Sequence, residues 1–100
     1  MSVLYVYLLY RGHTSLILVN DTCKYDELLE LVLSELGLSG ANLDVTLTYS
    51  LDSSLPPVWI MNNNNVLTYL RLKSLDEVVS SYPIMVDVIS TISWQSRYTL

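Results

Sequence analysis

One hundred residues are enough for one domain with a real core and too few for two. Hydrophobic side chains are 51% of the chain and charged ones 15%, where about 25% is usual, which excludes a disordered chain. The formal net charge is −5, and the basic residues Arg11, Lys24, Arg71, Lys73 and Arg97 are scattered singly, which argues against a phosphate-binding patch.

The same shortage of charge suggests more apolar surface than a free monomer needs: a partner, a longer parent chain, or merely a sticky domain. Cys23 is the only cysteine, so no intrachain disulfide can form and an intracellular, reducing compartment fits. No apolar run approaches the ~18–20 residues of a membrane helix.

Residues 3–10, Val-Leu-Tyr-Val-Tyr-Leu-Leu-Tyr, are rich in β-formers and predict a strand near the middle of a sheet. Leu4, Val6 and Leu8 are expected toward the core, with Tyr5 and Tyr7 opposite. Arg11-Gly12-His13-Thr14 reads as a turn and residues 15–20 as a second, antiparallel strand. Next comes the clearest helix, Tyr-Asp-Glu-Leu-Leu-Glu-Leu-Val-Leu-Ser-Glu-Leu-Gly, over residues 25–37. Tyr25, Leu28, Leu29, Val32 and Leu36 share one face, with Leu33 at its edge. Its start is ambiguous between Thr22 and Lys24, and Thr22 is the better cap chemically. Gly37 is the expected left-handed stop.

A loop carrying Ser39, Gly40 and Asn42 leads to residues 44–50, whose alternation predicts a half-exposed strand with Val45, Leu47 and Tyr49 on one side. Pro56-Pro57 forbids helix and central-strand pairing, so residues 58–61 are expected as a short edge strand. One of the four asparagines at 62–65 should cap a short helix through about Leu72, with Val66, Tyr69 and Leu70 inward. Ser74-Leu75-Asp76-Glu77 has the capping-box pattern for one more helical turn. Pro83 opens the last strand, residues 84–89, with Ile84, Val86 and Val88 inward. The first and last strands are the most aliphatic and form the expected central pair.

This order describes an α+β fold of β-grasp, or ubiquitin-like, type. It is a mixed sheet with one main helix packed across it and a short second helix, covering residues 1–90. Residues 91–100 read as a C-terminal tail or the start of a linker. The alternative is a ferredoxin-like sandwich, which would need residues 3–20 to be one bent strand; Gly12 argues against that.

A set of motifs in this order carries a resemblance: Tyr10-Arg11-Gly12, Tyr25-Asp-Glu-Leu28, Leu36-Gly37-Leu38, Leu47-Thr-Tyr49, Pro56-Pro57-Val58-Trp59-Ile60, Asn62-Asn63 with Val66 and Tyr69-Leu70, and Pro83-Ile84-Met85-Val86. Together they resemble the N-terminal ubiquitin-like domain of plant Mutator-like transposases, a relative of the Phox-and-Bem interaction domains. The resemblance spans residues 3–90 and implies a nuclear protein-interaction role outside the catalytic and DNA-handling parts. Two departures stand out. The first hairpin is short, and four asparagines stand where the family commonly has acidic residues. Phox-and-Bem pairing needs carboxylates facing a partner lysine, and an amide carries no charge. Only Asp52 remains nearby, so that docking mode is not carried over.

No catalytic residue, cofactor or metal site is assigned. His13, the only histidine, has no ligand-spaced partners. Cys23 before the helix could be activated by the helix dipole, but it lacks a histidine or second cysteine beside it. Asp26, Glu27 and Glu30 share one exposed helix face with no apolar pocket to raise a pKa. The chain ends Tyr98-Thr99-Leu100 rather than in Gly-Gly, so conjugation as a modifier is not expected. The expected function is a non-catalytic protein-interaction module that binds a protein partner or itself, with a nucleic-acid-contacting accessory domain as the alternative. Leu31 lies about 120° off the apolar face of the helix. With Glu27, Glu35 and Arg11 it is the candidate interaction surface.

Overall fold

The computed structural model describes residues 2–38 and 43–90. The chain forms β1 (Val3–Tyr10), β2 (His13–Asn20), α1 (Tyr25–Glu35), β3 (Leu43–Tyr49), β4 (Val58–Ile60), α2 (Asn63–Leu75) and β5 (Ile84–Ser90). One sheet has the order β2-β1-β5-β3-β4. Its central pair, β1 and β5, is parallel, and every other pairing is antiparallel. This is the β-grasp arrangement, α+β with a mixed sheet; the hairpin at Gly12 removes the ferredoxin-like alternative. The expected loop residues Ser39, Gly40 and Asn42 and the expected tail, 91–100, lie outside the described residues.

The hairpin turn is tighter than the composition suggests. His13 and Thr14 belong to β2, where they pair with Tyr10 and Leu9, so only Arg11 and Gly12 connect the strands. Both have positive φ, +50° and +76°, as a two-residue turn that matches strand twist requires. Gly12 takes that conformation at no steric cost, and Arg11 bears the strain.

Period-2 alternation then sorts the side chains. Val6 and Leu8 of β1, Ile17 and Val19 of β2, Leu47 and Tyr49 of β3, Ile60 of β4, and Ile84 and Val86 of β5 are all buried. Leu28 and Val32 of α1 and Val66, Tyr69 and Leu70 of α2 close over them in one core cluster. Full burial of each aliphatic side chain contributes about 1.5–3 kcal/mol before entropy is subtracted.

The helix ends show where local chemistry was misread. Lys24, not Thr22, is the N-cap of α1, and Thr22 is exposed. A lysine ammonium cannot accept a hydrogen bond. Instead the Glu27 carboxylate accepts the Lys24 N–H at 2.9 Å, and Asn63 Oδ1 accepts the Tyr25 N–H at 2.8 Å. A tertiary contact from α2 thus supplies what a local cap would have given. At the other end Gly37 stands at φ +71°, with Gly37 N–H donating to Ser34 O and Leu38 N–H to Leu33 O. That Schellman closure is the stop expected from the glycine.

In α2, Asn62 Oδ1 accepts the Asn65 N–H and Asn65 Oδ1 accepts the Met61 N–H, both at 2.9 Å. With Asn63 reaching to α1, three of the four asparagine side chains satisfy backbone donors at helix ends. The helix passes its expected end at Leu72 and runs to Leu75. Nothing from Leu72 to Leu75 breaks a helix, and propagation adds a hydrogen bond per residue. The capping-box pattern at 74–77 therefore marks a helix end, not a new turn. Asp76 is extended there, and its carboxylate accepts the Val78 N–H at 2.8 Å.

Lys73 is the one buried charged side chain among the described residues. Its ammonium donates to Val79 O and Ser81 O at 2.7 Å each, while the Tyr69 hydroxyl donates to Tyr82 O at 2.6 Å. These bonds pin the connection into β5, in which Tyr82 adopts φ +54°.

Candidate interaction surface

α1 packs against β2, the strand at one end of the sheet. Strand alternation sends Ile17 and Val19 into the core and leaves Leu16 and Leu18 outward, 46% and 55% exposed. On the helix, the rotation that buries Leu28 and Val32 turns Leu31 outward, 39% exposed. A surface groove of about 660 Å³ runs between them, lined by Val3, Leu18, Cys23, Glu27, Glu30 and Leu31 among others. A second trough, of about 420 Å³, continues it along Leu16, Leu18, Leu31, Ser34 and Glu35.

Three of the four candidate residues therefore meet. Glu27, Leu31 and Glu35 line one continuous surface, although Glu27 also serves the helix start. Arg11 does not join them. It sits at the tip of the β1–β2 hairpin, its guanidinium 5.4 Å from the centroid of the Tyr10 ring. Leu16 and Leu18 were missed. Their signal was present in β2, where one face had to be core and the other therefore surface, but no face had been assigned to that strand.

The groove's chemistry is that of contact, not of reaction. Cys23 lies in it, and burial, with the nearby Glu27 charge second, pushes its thiol pKa up. A raised pKa disfavours the thiolate, which agrees with an inert rather than an activated thiol. Among the described residues, no three His, Cys, Asp or Glu side chains cluster as metal ligands would. No helix of the described residues is long and apolar enough to cross a membrane. His13 is exposed at the start of β2.

Three of the four asparagines and Asp52 are engaged within the chain. Asn62, Asn63 and Asn65 are engaged as caps. Asp52 accepts the Ser54 N–H at 2.9 Å and the Ser54 hydroxyl at 3.0 Å, which holds its carboxyl below the usual range. No protein-family model matches this chain, and a search of curated proteins finds no match. The groove beside β2 stands on its own geometry.

Proposed function

We propose that this chain is a non-catalytic protein-interaction module of β-grasp type, resembling the ubiquitin-like leading domain of plant Mutator-like transposases or a fragment derived from one. The observation that supports it is the groove formed by Leu18 and Leu31 at the β2 edge of the sheet, which no strand among the described residues pairs. Burying such a surface against a partner removes apolar area from water at about 25 cal/mol per Å². In this reading the domain recruits a partner or a copy of itself in the nucleus, and other domains of the parent element handle DNA and strand transfer.

A direct DNA role lacks the basic patch it needs among the described residues. Arg11, Lys24 and Arg71 are exposed on separate elements, and Lys73 is buried. A salt-dependent mobility shift with DNA would reinstate it.

The interaction reading is tested by Leu31→Asp. Association, followed by sedimentation and by binding to a defined peptide, is lost. The melting temperature stays nearly unchanged, because Leu31 lies outside the core cluster on the exposed side of the helix. A large fall in stability would place Leu31 in the core and end the reading.

A further inference from the structure

We infer that the groove takes an extended apolar peptide segment flanked by lysine or arginine, which adds to the sheet as a further strand along the outer edge of β2. This rests on the interaction-module reading and names its ligand. β2 ends the sheet, and among the described residues no strand lies beside its outer edge. Unpaired N–H and C=O groups along a strand are satisfied as a row by another strand, and alternate side chains of that strand then point the same way. Leu16 and Leu18 offer apolar contacts to the set on the outer face of the sheet, and Leu31 to the set on the helix side. The charged lining is of one sign: Glu27, Glu30 and Glu35, with no lysine or arginine. Basic flanks are attracted there and acidic flanks repelled.

A second copy fits less well. Self-pairing of β2 about a two-fold axis must keep like faces together, which centres it on a residue such as Ile17. The two α1 helices then lie on the same side of the joined sheet and bring their glutamates toward each other, in chains that each carry a net charge of −5. Like charges in both places resist association.

The experiment uses the whole chain and synthetic peptides with an alternating aliphatic core, flanked either by lysines or by glutamates. Occupancy is read as protection of Cys23, the only cysteine and a groove residue, from alkylation. It is read again as slowed amide exchange along β2. The lysine-flanked peptide is expected to slow both, to leave β4 exchange unchanged, and to bind less tightly as salt rises. In a variant carrying Glu27→Gln, Glu30→Gln and Glu35→Gln, its affinity falls about tenfold. Glutamine at 27 still offers an oxygen to the Lys24 N–H, so the helix start survives.

Equal binding of the glutamate-flanked peptide overturns the assignment, as does undiminished binding of a backbone-N-methylated peptide. So do the failure of both peptides and a dimer that Leu18→Lys disperses. Each of those results leaves the interaction reading standing; that reading fails separately, through a loss of stability in Leu31→Asp.

Discussion

The two edges of the sheet are built on opposite plans. β4 has three residues, follows Pro56 and Pro57, and offers a neighbour almost no row of donors. β2 has eight residues, no proline, no bulge among its pairs with β1, and no charged side chain. Each edge has its own helix, α1 beside β2 and α2 beside β4. α1 forms a groove along the edge it serves, and its lining includes exposed leucines and glutamates. An unprotected edge strand is an aggregation hazard unless something pairs with it. The contrast shows which end of the sheet is left available.

The largest effects should appear where both edges are tied to the core. Ile17 and Ile60 are buried at 7% and 2% exposure. Ile17→Ala and Ile60→Ala should each cost about 2–5 kcal/mol in denaturant unfolding. If Ile17→Ala costs almost nothing, β2 is a loosely attached ribbon and the comparison of two firm edges breaks.

Next is the tyrosine pair on the β4 side. Tyr49 and Tyr69 meet edge to face with centroids 4.8 Å apart. Burial raises both phenol pKa values above the ordinary 10, with the Tyr49 charge a second cause at Tyr69. A raised folded-state pKa means that their contribution is fully present below about pH 10 and is lost as pH climbs beyond it. Stability should therefore fall steeply in alkali, and Tyr69→Phe should flatten that fall. The same change leaves Tyr82 O without its donor, at a neutral-pH cost of about 1–3 kcal/mol.

Lys73→Met should cost less, about 1 kcal/mol, since Val79 and Ser81 lie near the surface and water can replace the ammonium there. Burial lowers the Lys73 pKa, against an opposing pull from Asp76. Between the folded pKa and 10.5 the unfolded chain binds more protons, so stability from this group rises with pH through that window. A small rise just before the tyrosine-driven fall should disappear in Lys73→Met.

The smallest effect on stability, within about 0.5 kcal/mol, is expected of Leu18→Lys. A lysine there gives β2 the protection that the prolines give β4. Binding of the lysine-flanked peptide should be lost while the melting curve stays in place. Retained binding would mean that the groove does not use the edge.

Much of this fold could be read from local pattern. The alternation in residues 44–50 and 84–89, the 3.6-residue period of α1, Gly12 at the turn, Gly37 at the stop and Pro56-Pro57 before an edge each act over a few residues of chain. Backbone sterics and one-sided burial are enough to give them meaning. Even the outward position of Leu31 followed from the helical wheel.

Beyond the pairing of the first and last strands, which their aliphatic content anticipated, the tertiary structure decided the relations between segments distant in sequence. The Tyr25 N–H is satisfied by Asn63, 38 residues on, a partner no local pattern names; only Glu27, which accepts the Lys24 N–H, marked the start at Lys24 locally. Lys73 is one of several singly scattered basic residues in the sequence, and only the connection into β5 gives its ammonium two carbonyls. The groove belongs to neither β2 nor α1. Leu18 and Leu31 become neighbours only when Ile17, Leu28 and Val32 enter one core, because burying one face of each element fixes where the other face must lie.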